Sequence, residues 1–219
     1  LGAFVSQPLV RNIVGQVRSR VDLGQILSEG RILLADLSVG RLGEDASHLL
    51  GGLLLTGLQL SAMERGAGAQ YFIIYVDEFQ HFVTDAVATM LSEARKFGLG
   101  LVLAHQYLGQ LSVTTRDAIL GNVGSMMVFR VGGADAQILA SEMYPVFSET
   151  DLQELARYHA AAKLLVRGET LRPFSSQTLS LAQGITGLGE SRSEIQCETR
   201  NRFCLPRDKV EQIIRRELD

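Results

Sequence analysis

The chain has 219 residues, 21 Lys+Arg against 24 Asp+Glu, 46% hydrophobic residues, 22 Gly and only 4 Pro. That balance excludes disorder, collagen and coiled coil, and the net charge of −3 excludes a bulk polybasic nucleic-acid binder, though not a local basic groove. Cys197 and Cys204 are too few for a disulfide framework and have no partner at zinc spacing, so both read as free thiols.

Residues 22–30 predict a short helix, with Asp22 able to cap its start and Gly30 its end. The apolar run 31–38, bounded by Gly30 and Gly40, predicts a buried strand. In 43–66, Leu49, Leu50, Leu53, Leu54, Leu58 and Met63 recur at helical spacing, which predicts a helix buried on most sides. Its leucine-rich middle at 49–60 is shorter than the roughly 18–20 residues of a membrane span, and Gly51, Gly52 and Gly57 read as packing positions against a sheet. Residues 71–79, Tyr-Phe-Ile-Ile-Tyr-Val-Asp-Glu-Phe, predict a strand apolar on both faces that ends in two acids. An amphipathic helix is expected over 84–97, a strand over 100–106, a helix over 114–122, a strand over 126–131 and a helix over 134–144. Ser148 followed by Asp151 is a capping signature, two late strands follow from residue 159, and Pro206 starts a C-terminal helix over 206–218. Apolar strands alternating with helices predict a three-layer α/β fold with a mainly parallel sheet and helices on both faces. The division expected is 1–183 as one α/β domain and 184–219 as a polar tail with a helix.

In such folds ligands sit at the carboxyl ends of the strands. Asp77 and Glu78 close one strand there, although each acid costs desolvation beside a sheet. A bound cation is one reason to tolerate them, with Asp77 holding Mg2+ through its waters while Glu78 takes a proton from an attacking water; the other reading is that the acids cap the next helix or face solvent. Gln106 ends the next apolar strand, and a neutral amide can donate to a phosphate oxygen and accept from water. His81 and His105 flank these positions without a third metal ligand and read as structural.

Three ordered motifs carry a family resemblance. VDEFQHF at 76–82, ARKFGLGLVLAHQYLGQL at 94–111 and ILGNVGSMMVFRVGGADAQILA at 119–140 resemble the HerA/FtsK-type P-loop motor ATPases, most of all the TraG/TraD-like conjugative coupling proteins of type IV secretion. The resemblance covers roughly residues 10–180. It implies a RecA-like fold, ATP and Mg2+ as cofactors, and a ring, hexameric in type, that moves DNA. It gives Asp77 the metal side of the Walker B pair, Glu78 the catalytic base and Gln106 the phosphate sensor. Arg95 falls at a basic position near a neighbouring subunit's nucleotide, and Arg130 is a second finger or sensor candidate. Relaxase and secretion-channel partners are implied, as is a cytoplasmic place at the inner-membrane face. Gln110, Thr114, Thr115 and Arg116 are candidates to face a DNA pore.

One departure is serious. No G-x-x-x-x-G-K-[ST] occurs anywhere, and neither GRLGED nor RGAGAQ supplies the phosphate lysine. With Leu1 and not Met at the start, the expectation is a C-terminal portion of such an ATPase, poorly active alone. The alternatives are a HerA-like DNA-processing motor and a degenerate, non-catalytic scaffold.

Overall fold

A computed structural model describes residues 6–16, 18–66, 68–82, 90–179 and 188–218. The chain divides into two compact units, Leu1–Ala104 with Gly187–Asp219, and His105–Thr186.

The first unit begins with α1 (Pro8–Val14) and α2 (Leu23–Ser28), where the Asp22 side chain accepts from Gln25 N–H as its spacing predicts. A single turn, α3 (Val39–Leu42), leads into the long α4 (Glu44–Arg65). Glu44 and Asp45 in the first turn of α4 and Arg65 in its last complement the helix dipole. Two strands follow, β1 (Phe72–Val76) and β2 (Leu99–Leu103), paired in parallel from Phe72 beside Leu99 to Val76 beside Leu103. Between them residues 90–93 are helical and Ala94–Phe97 form a 3-10 turn; the rest of the helix expected over 84–97, residues 84–89, lies outside the described residues. The core joins Leu27 of α2, Leu58 and Ala62 of α4, Ile74 and Leu99 of the strands, and Met90 and Ala94. It covers one face of the strand pair, and Tyr71, Ile73, Tyr75 and Val102 stay exposed.

Arg65 ties the amino end of this arrangement together. Its guanidinium donates to the carbonyls of Leu27 at 3.0 Å, Gln70 at 3.1 Å and Phe97 at 3.4 Å. An arginine fork suits three diverging acceptors where a lysine would serve as a single point charge. The C-terminal segment belongs to the same unit. α8 (Leu188–Phe203) is polar along its described length, and α9 (Arg207–Leu218) packs on α1, burying Val210 and Ile214.

The second unit is built on antiparallel pairing. β4 (His159–Lys163) lies between β3 (Met126–Val128) and β7 (Phe174–Gln177), and β5 (Leu165–Val166) and β6 (Glu169–Thr170) form a hairpin. Three helices accompany the strands, α5 (Val113–Asn122), α6 (Gly133–Glu142) and α7 (Glu149–Gln153). Ser148 and Asp151 make the reciprocal capping box that their spacing predicts.

The fold class is therefore α/β with a parallel pair, as the strand and helix alternation implies. Some details differ from the sequence reading, beginning with the pairing: among the described strands only β1 with β2 is parallel, and the pairs of the second unit are antiparallel where a mainly parallel sheet is expected. The segment 31–38 is not a buried strand: it has no regular structure, with Ile32 89% and Leu34 77% exposed. Both its ends are otherwise engaged, Arg31 N–H with Ile26 O and Leu37 O with the Ser47 hydroxyl, and Asp36 is drawn into bonds with Ser38 and Arg41. And α4 is buried on one side only, since Leu53, Leu60 and Met63 are exposed. By length and composition α4 could cross a membrane; here its small residues take core contacts, with Gly51 directly under the Phe82 ring.

Candidate functional site

Strand β1 ends at Val76, and the chain must turn within two residues to enter the short 3-10 helix Phe79–His81. Ala104 N–H donates to Val76 O at 2.9 Å and Phe79 N–H to Ala104 O at 3.0 Å, which laces the carboxyl ends of the two strands together. Phe79, 2% exposed, is the anchor of the turn in the core. What remains between Val76 and Phe79 is Asp77-Glu78, lifted out at the carboxyl end of the parallel pair.

Glu78 adopts φ 49°, ψ 43°, the left-handed region that costs a non-glycine residue about 1–2 kcal/mol. Asp77 helps hold it there: its Oδ1 accepts the Glu78 N–H at 3.0 Å. Gln80 Nε2 then donates to Glu78 Oε2 at 2.6 Å, so the carboxylate is oriented by its own turn. Strain of this kind collects where geometry serves chemistry. Asp77 is exposed and Glu78 half-buried, so one acid meets solvent while the other is partly sheltered.

Sequence reasoning missed two contributors to this turn. Gln80 is one, legible only as an amide two residues past the acid. The second is His48 of α4, whose Nε2 lies 3.1 Å from Nδ1 of His81 with the rings stacked 5.2 Å apart. That contact fastens the far end of the acidic turn to α4, and the structural reading of His81 fits it. Within the second unit, Asp135 also carried no sequence signal. It is nearly buried in the first turn of α6, and its Oδ2 accepts the Leu108 N–H at 2.9 Å.

Arg95 is exposed on the 3-10 turn that precedes β2. Since β2 runs parallel to β1, Arg95 sits at the amino end of the pair and the acids at the carboxyl end, five strand residues or roughly 16 Å away along the strands. It is not part of the acids' turn in its own chain. Gln106 and Arg130 belong to the second unit and are both exposed, Gln106 three residues beyond the end of β2 and Arg130 two beyond β3. Thr114, Thr115 and Arg116 are in the first turn of α5, and Arg116 pairs with Asp117 at 3.1 Å. Among the described residues no three His, Cys, Asp or Glu side chains gather as a metal cluster. A single exposed carboxylate suits an ion that keeps most of its waters, as Mg2+ does.

No protein-family model and no curated protein matches the chain. Solved structures share features of its fold. A bacterial conjugative coupling protein, TrwBdeltaN70, is similar over 57% of this chain at 13% identity and a TM-score of 0.49, and the chain spans only 35% of that protein's length. The genome-packaging NTPase B204 of Sulfolobus turreted icosahedral virus 2, solved with ATP-gammaS, is similar over 74% of each chain at 15% identity and a TM-score of 0.49. The DNA-packaging ATPase B204 of Sulfolobus turreted icosahedral virus gives 16% identity, 74% of each chain and 0.48. At such identities and scores none of these likenesses decides a function.

Proposed function

We propose that this chain is the Walker B portion of an ATP-driven motor of the HerA/FtsK type, and that Asp77 and Glu78 are its reacting acids. The observation that carries the reading is the turn itself: two adjacent carboxylates at the carboxyl end of a parallel pair, one in a strained left-handed conformation and oriented by Gln80. A magnesium-bound triphosphate, when present, supplies the electrophilic phosphoryl group. Asp77 offers a hard oxygen to the ion's hydration shell. Glu78 accepts the proton of an attacking water, its carboxylate fixed through Oε2. Gln106 as phosphate sensor and Arg130 as a sensor or finger are assignments from the resemblance alone. Arg95, displaced to the opposite end of the strand pair, suits a role toward a neighbouring copy in a ring and not toward its own acids. A ring of copies moving DNA in conjugative transfer is the finer form of this proposal, with relaxase and channel proteins as its partners.

The 219 residues contain no phosphate loop, so the chain alone is expected to turn ATP over poorly. The same fact favours a second reading, a scaffold of this fold that docks without catalysis. Mn2+ as a paramagnetic stand-in for Mg2+ separates them. Under the motor reading, Mn2+ broadens the amide resonances of residues 76–79, and Asp77→Asn removes the effect. Uniform broadening that ignores Asp77→Asn favours the scaffold. With a phosphate loop supplied, Glu78→Gln should lower hydrolysis by ~10²–10⁴ while ATP stays bound. Turnover within a few-fold of the parent would remove Glu78 from the chemistry.

A further inference from the structure

The turn that carries Asp77 and Glu78 is docked on α4 through two neighbouring contacts of different kinds. Phe82 lies over Gly51, where a Cβ would fall 2.2 Å from the ring, so the helix offers bare backbone to an apolar side chain. Just before Gly51 in α4, His48 Nε2 meets His81 Nδ1 at 3.1 Å, with ring centroids 5.2 Å apart and the planes 30° from parallel. The Phe82 contact is indifferent to pH, and the histidine contact is not. Facing ring nitrogens share one hydrogen: one ring donates and the other must keep its lone pair. The contact therefore tolerates at most one positive charge. A second proton removes the acceptor and sets two like charges in adjacent rings. Histidine is the side chain whose ordinary charge change falls between about pH 5 and pH 8.

The charged groups around the pair favour that second proton. Glu44 and Asp45 precede His48 by four and three residues, on the same side of α4. His81 shares a cavity wall with Asp77 and Glu78 of its own turn and with Arg31 and Asp36 of the segment before α4. Arg31 is paired with Glu29, and Asp36 with Arg41 of α3. α2, which also packs on α4, contributes no charged side chain. Arg95 and Lys96 meet α4 at its far end, where Arg65 binds Phe97 O. Among the described residues, the surroundings of the pair are thus net acidic.

His81 is also tied to Glu78 through the backbone, since its N–H donates to Glu78 O at 3.0 Å. Glu78 holds its left-handed conformation against its own preference, and such strain lasts only while neighbouring bonds over-determine it. We propose that His48 is a positioning residue for Glu78, acting through His81 and operated by protonation. With at most one proton on the facing nitrogens' shared contact, the turn stays strained and the Glu78 carboxylate is presented. With both rings charged, His81 swings away and Glu78 relaxes toward extended backbone. Phe82 stays over Gly51, so the release is confined to the turn. The coupling needs only the turn and α4, and stands whether or not the acids serve a nucleotide. Where they do, it makes presentation of the base depend on pH.

NMR of the whole chain, free of nucleotide, tests it. A titration from about pH 8 to about pH 5 follows the ring nitrogens of both histidines and the Glu78 Cα and Cβ resonances, which report its backbone conformation. The Glu78 resonances should leave their left-handed positions together with the second of the pair's two protonation steps. In His48→Ala they should start at the released positions and no longer respond. In His48→Gln, whose amide can donate to His81 Nδ1 or accept from it, they should keep the left-handed positions throughout. Glu78 resonances that hold still in the parent overturn the coupling. So do resonances that still move in His48→Ala, or that move in His48→Gln as they do in the parent. Should His48→Ala fail to fold, the parent against His48→Gln decides alone. Mn2+ broadening at residues 76–79 tests the role of the acids separately, so either idea can fail without the other.

Discussion

The two units treat their sheets in opposite ways. In the second, β4 is flanked on both sides, and Ala160, Ala161 and Ala162 are buried almost completely, with Leu139, Met143 and Leu152 in the same core as Ala161. In the first, among the described residues, β1 has one partner strand, one covered face and one edge without a partner strand, and the candidate site hangs from its end. The candidate turn is thus carried by the less complete sheet, where its hold on the core comes down to a few side chains. Regions with few buried contacts are the ones that open locally and can move in function.

Cutting the strongest of those holds gives the largest expected effect. Phe79→Ala should cost the first unit about 3–5 kcal/mol. Calorimetry should show its transition moving well below that of the second unit, with the Asp77-Glu78 turn released. A shift in the second unit instead would mean that Phe79 is not the anchor. Enlarging the crowded sheet is the converse experiment. Ala161→Leu puts three extra carbons into a buried central strand and should cost about 1–3 kcal/mol. Its loss should fall on the second unit, and a neutral result would show that sheet to be looser than its burial indicates.

The contrast also explains what could be read from the chain beforehand. Helix and strand periodicity, the Asp22 cap and the Ser148–Asp151 box are local signals, and α2, α4, β1, β2 and α7 form where they point. Asp77 and Glu78 were legible because two acids closing an apolar strand conflict with burial. The run 31–38 misled because strand composition fixes a preference and not a partner: pairing depends on an edge that is far away in sequence. Arg65, Gln80 and the His48–His81 contact were invisible for a related reason. Each works through geometry that joins elements or turns, and an arginine, a glutamine and two histidines 33 positions apart carry no spacing signal.

A smaller effect tests whether the strain at Glu78 is an incidental cost. Glycine populates the left-handed region freely, so Glu78→Gly relieves it, while glycine's extra freedom in the unfolded chain offsets part of the gain. The expected net is a stabilisation of up to about 1 kcal/mol, read as a rise in the first unit's midpoint, together with loss of the site's carboxylate. A drop in the midpoint would mean that the Gln80–Glu78 bond outweighs the strain.

The smallest effect concerns the clasp between the terminal helices of the first unit. Glu211 Oε1 accepts from Arg207 Nε at 2.8 Å and from Asn12 Nδ2 at 3.3 Å. The Arg207 bond first, and the Asn12 bond after it, hold the Glu211 carboxyl below its ordinary 4.5. A carboxylate lowered on folding contributes stability that is present above its unfolded value and is lost as pH falls through its folded one. The clasp should therefore be intact above pH 4.5 and loosen below it, with the Asn12 side-chain amide resonances shifting in that window. Val10, Val210 and Ile214 stay buried without the charge, so α9 should remain docked while the polar bond is lost. Glu211→Gln keeps an acceptor for Asn12 and removes the titration, so its Asn12 signals should be flat across the same range. A shift that persists in Glu211→Gln would assign the titration to another group and leave the clasp to its apolar contacts alone.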